Sequence, residues 1–146
     1  MISVRIGIKL DPGATMPTYA NYGDAGADIY AIQPVRVHAN AIGVVPTGVY
    51  LEIPHGYVGL IHPRSGLARK NAITVLNAPG TIDSGYRGEV KVLLFNHGLK
   101  EYNIDAGERI AQIVFQEVLT ADFVTNLEGQ LSTSERGDGG FGSTGN

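Results

Sequence analysis

Short runs of β-branched and aromatic residues, each cut off by proline or glycine, recur along nearly the whole chain, and this rhythm favours antiparallel sheet. Val4, Ile6, Ile8 and Leu10 alternate with polar or small residues and predict a half-buried opening strand, ended by Asp11-Pro12-Gly13. Further strands are predicted at Val35–Val37, Gly43–Val45, Val49–Ile53 and Tyr57–Ile61, punctuated by Pro46, Pro54-His55-Gly56 and His62-Pro63. Ala72–Leu76 and Val90–Phe95 read as two more, followed by one near Tyr102–Ile104 and a longer one from Arg109 to Leu119. Met16 to Ala31 reads as turn-rich. The one good helix candidate is Ser65 to Lys70, with Ser65 able to cap its first turn and Arg69 and Lys70 suited to its last. Strands at this spacing predict an all-β fold, a sandwich, barrel or jelly roll.

The 146 residues suffice for one core, and 20 glycines supply the turns. Residues 1–127 are expected to form the folded domain. Past Leu127 the chain becomes glycine, serine, threonine and charge, so 128–146 reads as a flexible arm with Phe141 as its last large apolar group. Such an arm is either a disordered tail or a segment that orders over a ligand. Arg136, bare glycine amides and hydroxyls suit a phosphate chain, and a lone phenylalanine suits a base.

Composition removes several classes of function. The absence of cysteine excludes disulfides, thiolate zinc sites and a cysteine nucleophile, and it fits a reducing cytosol. A net charge of −3 gives no broad attraction to nucleic acid or to an anionic membrane, so neither is an expected partner. No apolar run approaches the roughly 20 residues of a membrane span, and the strand-like N-terminus predicts that no signal peptide precedes the fold. A soluble cytoplasmic domain is expected. His38, His55, His62 and His97 are scattered without metal spacing, and neither a phosphate-binding P-loop nor a serine nucleophile elbow is present.

Chemistry concentrates in four places. Asn77 to Val92 joins two predicted strands through Pro79, Gly80, Asp83, Ser84, Gly85 and Gly88, which leaves main chain open to a close ligand. The same stretch carries Asp83, Tyr86, Arg87 and Lys91; its plain alternative is a long hairpin loop. In Pro63-Arg64-Ser65-Gly66-Leu67-Ala68, a helical start at Ser65 would gather a hydroxyl, free amides and the Arg64 guanidinium into an anion site, or simply make a capped helix beside a surface arginine. Asp28, between apolar neighbours, either braces a turn or helps hold a hydrated magnesium ion. Arg109 and Gln112 are three apart on a predicted strand, which places them on opposite faces, so only one is expected to meet a ligand.

Taken in order, Ala25-Gly26-Ala27-Asp28-Ile29-Tyr30, Pro63 to Ala68, Gly80-Thr81-Ile82-Asp83-Ser84-Gly85-Tyr86-Arg87-Gly88-Glu89, Gly107-Glu108-Arg109-Ile110-Ala111-Gln112 and Arg136 to Gly145 resemble the five ordered motifs of the trimeric dUTPases. The departures are mild, Ile29 and Ile113 standing where leucine is common. The resemblance implies a distorted β jelly roll with one short helix and an extended C-terminal arm, assembled as a homotrimer whose sites draw on three subunits. It implies magnesium-dependent hydrolysis of dUTP to dUMP and pyrophosphate, which limits uracil incorporation into DNA and supplies dUMP for thymidylate synthesis. On that pattern Asp83 would orient and deprotonate the attacking water, and Tyr86 would lie against the deoxyribose. Asn77, Gly80, Thr81, Ile82 and Asp83 would form the uracil and sugar pocket. Arg64, Ser65, Gly66 and Gln112 would hold phosphates, and Asp28 would reach the metal through water, the ion being held mainly by the substrate phosphates. Arg136 would close on the γ-phosphate and Phe141 over the base, with Gly142 and Ser143 beside them; Lys91 is a further substrate contact.

Chemistry agrees with this. An exposed hairpin backbone matches the acceptor-donor-acceptor edge of uracil, whereas cytosine would leave buried groups unpaired at about 1–3 kcal/mol each. Two alternatives stand beside it. A dCTP deaminase on the same fold would need a glutamate about where this chain has Leu93, and leucine moves no proton. A non-catalytic nucleotide-binding regulatory module would be expected to lack Asp83, Arg64 or the arm, and all three are present.

Overall fold

The computed structural model describes residues 3–125 and 129–143. Two four-stranded antiparallel sheets pack face to face, with a two-stranded ribbon beside them. The first sheet has the order β1 (Gly7–Leu10), β4 (Ile42–Glu52), β8 (Glu89–Asn96), β6 (Ile73–Val75). The second has the order β2 (Ala27–Tyr30), β10 (Arg109–Glu117), β5 (Tyr57–His62), β7 (Gly80–Ile82), and the ribbon pairs β3 (Val35–Val37) with β9 (Tyr102–Ile104). This is the distorted jelly roll, with one short helix, α1 (Ser65–Asn71), among the described residues. No helix among them is long and apolar enough to cross a membrane.

Alternation builds the core. Val90, Val92 and Leu94 of β8 face Val45, Val49 and Leu51 of β4 and meet Ile29, Ile61, Ala111 and Ile113 of the second sheet, all buried. The short runs of the sequence are the buried sides of these strands.

Two predicted strands, Gly43–Val45 and Val49–Ile53, are one strand, β4, which runs straight through Pro46. The proline is tolerated because its carbonyl turns to the Ile32 amide at 3.0 Å, away from β8, on a side that β1, paired only with Val49 to Glu52, does not reach. The ladder therefore needs no donor from it, and past it the pairing with β8 slips between Pro46 and Tyr50. Gly48 takes φ 66° there, and a Cβ on it would run into Ala14 at 2.9 Å. Fully buried Thr47 closes the bulge, its hydroxyl donating to the Val90 carbonyl at 2.6 Å, while Glu89 Oε1 accepts the Gly48 amide at 3.0 Å.

The turn-rich reading of Met16 to Ala31 holds only as far as Gly26, for Ala27–Tyr30 is an edge strand. A larger difference concerns the central stretch. β6 and β8 pair as predicted, yet the chain between them crosses to the other sheet and pairs there with β5 as β7. The expected hairpin loop is therefore a strand-bearing bridge between the two leaves. The domain boundary expected at Leu127 and Glu128 lies outside the described residues.

Candidate active site

Three strands of the second sheet set one row of side chains. Asp28 on β2 stands opposite Gln112 on β10, which stands opposite His62 on β5. Cross-strand partners share a face, so all three point to one side. Beyond them the chain turns at Pro63 into α1, and an open cleft of about 690 Å³ forms between this row, Arg64, Ser65 and Gly66, with Asp24 and Arg109 at its margin.

Asp28, whose side chain is 14% exposed, takes Arg64 Nε on one oxygen at 3.0 Å and Arg109 Nη1 on the other at 3.5 Å. One carboxylate thus holds two guanidiniums at the mouth of a cleft. With Asp24 also in the lining the acids and arginines balance in formal charge, so directed donors rather than net charge are what the site offers an anion. Gln112 Nε2 donates to the Pro63 carbonyl at 3.0 Å and pins the turn into α1. Its side chain fits because residue 26 is glycine: a Cβ there would overlap the Gln112 amide and approach its Cβ at 3.1 Å.

Two sequence expectations fail here. Arg109 and Gln112 do not lie on opposite faces. Pairing with β2 slips between Arg109 and Ala111, so Ile110 is the extra residue of a bulge and both polar side chains line the same cleft. Ser65 does not cap α1 either. Arg64 occupies the N-cap position with extended backbone and no side-chain capping bond, which leaves Ser65 as the first helical residue with its hydroxyl at the cleft. His62 and Asp24 are cleft residues that sequence reasoning did not single out, and Arg109 joins Gln112 there although only one of the two was expected to meet a ligand. His62 read as strand punctuation, and only the register with Gln112 reveals it.

The bridge residues form a second group. Gly80 pairs with Ile61 and Ile82 with Gly59, so β7 is the outer strand of its sheet and alternate residues turn N–H and C=O away from β5. The exposed Asn77 amide folds over buried Gly80, 3.3 Å from where a Cβ would sit. Exposed Thr81 bonds the Pro79 carbonyl through Oγ1 at 3.4 Å, and Ile82 packs on the edge of the core. Just past the strand, Asp83 is exposed and no described residue donates to its carboxylate. Tyr86 Oη donates to the Glu89 carbonyl at 2.9 Å and lays its ring over Gly88.

These two groups do not converge within one chain. Gly80 is two strands from Gln112, about 10 Å at the usual strand spacing. From Gly80 the chain then runs toward Asp83 in the direction of Gly59, away from His62 and the cleft. Lys91 lies elsewhere, on β8, 3.8 Å from Glu89. In the arm, Arg136 Nε donates to the carbonyl of Gly139 at 3.0 Å, and exposed Phe141 has φ 51°. Gly142 and Ser143 are exposed beside it, while Thr144 and Gly145 of the last motif lie outside the described residues.

Among the described residues no three His, Asp or Glu side chains stand together as a metal cage. Two carboxylates, Asp24 and Asp28, beside arginines in an open cleft suit an ion that arrives on phosphates and keeps its waters, as magnesium does.

The dUTPase family model matches residues 13–145. The deoxyuridine 5'-triphosphate nucleotidohydrolase of Clostridium acetobutylicum is 44% identical over 145 residues, spanning 99% of this chain and 98% of its own. That of Treponema pallidum is 47% identical over 145 residues, spanning 97% and 98%. Among solved structures, the Staphylococcus bacteriophage 80alpha dUTPase with dUpNHpp superposes at a TM-score of 0.88 and 32% identity, covering 98% of this chain and 99% of that one. A dUTPase mutant from phage phi11 of S. aureus, solved with a structural Mg(II) ion, matches at a TM-score of 0.78 and 26% identity over 86% of this chain and 99% of that one.

Proposed function

This chain belongs to the dUTPase family, and from that premise we propose how its residues divide the work of the reaction. The protein is an enzyme that hydrolyses dUTP to dUMP and pyrophosphate. Water adds to the α-phosphorus while the bridging oxygen leaves with pyrophosphate, and Asp83 takes the proton of the attacking water. The outward main chain of Gly80 to Ile82, with Asn77, reads the pyrimidine edge, and the Tyr86 ring lies against the sugar where a 2′-hydroxyl would sit. Arg64, Ser65, Gly66 and Gln112 receive the phosphates, and Arg109, sharing Asp28 with Arg64, adds to the same field. Asp28 would help hold magnesium through water beside the substrate phosphates, and the ion would supply charge neutralisation there. Arg136, Phe141, Gly142 and Ser143 close the site, the arm 128–146 acting as a strap on the 1–127 domain. Lys91, engaged with Glu89, contributes at most a distant charge.

The observation that carries this reading is the Asp83 carboxylate, without a partner among the described residues, just past the end of an edge strand whose outward main chain no described strand covers. The separation of that carboxylate from the arginine-bearing cleft supports a homotrimer in which neighbouring subunits bring the two together. A cytoplasmic location is in keeping with the absence of cysteine. Direct binding to nucleic acid or membrane is not part of the reading, given the net charge of −3.

Pyrophosphate release from dUTP, dTTP, dCTP and UTP, with magnesium present, tests the assignment. Release from dUTP alone at an appreciable rate is expected. Ammonia from dCTP would instead favour the deaminase reading, which already lacks its proton carrier, since Leu93 of β8, paired with Val44 of β4, stands where a glutamate would be needed. Tight dUTP binding without pyrophosphate would favour a non-catalytic module.

A further inference from the structure

The turn that carries Asp83 is held from behind by a side chain that the reaction outlined above does not use. The Tyr86 amide donates to the Asp83 carbonyl at 3.1 Å and closes the turn. Arg87 then reaches back across it: Nη1 donates to the Ser84 carbonyl at 2.8 Å and to the Tyr86 carbonyl at 3.1 Å. Arg87 Nη2 stands 3.6 Å from Glu52 Oε1, at the end of β4. One guanidinium therefore spans the turn and ties it to a strand whose middle, at Val45, Val49 and Leu51, is buried in the core.

The turn needs such a tie. Gly85 lies at its tip, with nothing within 4 Å of where a Cβ would stand, so neither packing nor a side chain limits its backbone. Water could solvate the Ser84 and Tyr86 carbonyls equally well, but separate waters would not fix their relative direction. A planar fork of donors does. The ion pair with Glu52 is exposed, with side chains 55% and 73% accessible, so it adds little to stability. Its consequence is directional. The same guanidinium is poorly placed as a substrate ligand, because Nη1 is engaged with main chain and Nη2 is turned toward Glu52.

We propose that Arg87, anchored by Glu52, is a positioning residue that aims the Asp83 carboxylate and the Tyr86 ring. The inference rests on the reading above, in which Asp83 acts on water and Tyr86 lies against the sugar. A misplacement of about 1 Å at a reacting group can cost up to about a hundredfold in rate. Loss of the tie, leaving the turn's own hydrogen bond intact, is expected to cost about ten- to thirtyfold.

The test compares Arg87→Ala, Arg87→Lys and Asp83→Asn in the assembled full-length protein, by pyrophosphate release from dUTP and UTP and by thermal unfolding. Arg87→Ala is expected to lower kcat about ten- to thirtyfold with KM for dUTP within about threefold. It should also narrow the preference for dUTP over UTP and shift Tm by less than about 3 °C. Arg87→Lys retains the charge and a single donor group and should fall between. A folded Arg87→Ala with kcat within twofold of wild type overturns the proposal. So does a raised KM at unchanged kcat, which marks a ligand contact, or a rate loss that vanishes once rates are scaled to folded protein. Should Arg87→Ala be too unstable to assay, Arg87→Lys carries the test, with an unaltered kcat overturning it. Asp83→Asn separates the two levels: wild-type turnover in that variant removes the underlying reading, whereas an inactive Asp83→Asn beside a fully active Arg87→Ala removes this inference alone.

Discussion

Gly26→Ala isolates the packing that shapes the anion cleft. The new Cβ would occupy space now held by the Gln112 side-chain amide, standing 2.9 Å from its Cδ and 3.1 Å from its Cβ. Rotation of the amide alone cannot clear the contact, because the stem is crowded too. Gln112 must swing out, and its bond to the Pro63 carbonyl at 3.0 Å goes with it. Overpacking of this kind costs about 1–3 kcal/mol, and a lost hydrogen bond about 1 more. A gain of about 0.4–1 kcal/mol from stiffening the unfolded chain offsets part of that. The net expectation is about 1–3.5 kcal/mol, or roughly 2–14 °C in Tm for a domain of this size, measured at fixed protomer concentration. KM for dUTP should rise about tenfold as the phosphate contact proposed for Gln112 is lost. Gln112→Ala removes the obstacle, leaving only the 3.1 Å approach of its Cβ. The double variant should therefore be about as stable as Gln112→Ala alone while keeping the raised KM. Equal Tm and KM in Gly26→Ala and wild type would refute the packing argument, and additive losses in the double variant would refute the assignment of the clash to Gln112.

Asp83→Asn is expected to keep dUTP affinity within about tenfold while lowering turnover by orders of magnitude, as calorimetry and single-turnover rates would show. Asp28→Ala frees Arg64 and Arg109, so chemical denaturation should report a loss of about 1–2 kcal/mol together with a lower kcat; full retention of both would show that the two arginines need no brace. Deleting Gly137 to Asn146 should slow turnover without altering the oligomeric state in sedimentation, and unchanged rates would remove the arm from the site.

The fold class was legible because its evidence is local: strand runs, turn residues and one short helix each announce themselves within ten residues. The cleft was legible only in part. Arg64, Ser65 and Gly66 are contiguous, and Asp28 stands out as an acid among apolar neighbours. The partnership of Asp28 with Gln112 and His62 is a matter of register, which no single strand encodes. The shared face of Arg109 and Gln112 depends on a bulge at Ile110, and one extra residue reverses every parity argument downstream of it. β4 reads as two strands for a related reason, since a proline breaks a strand only where a neighbour needs its amide, and Pro46 stands past the end of β1. The crossing of β7 to the other sheet was invisible because Gly80-Thr81-Ile82 is too short and too glycine-rich to read as a strand.

That crossing ties recognition to the integrity of the whole molecule. Flanked by strands of one leaf and woven into the other, the Gly80–Ile82 segment acts as a stitch through the sandwich. The leaves cannot shear past each other without dragging along the main chain proposed to read the base. An occupied site would in turn clamp the seam, so a nucleotide gripping three short residues stiffens two sheets at once.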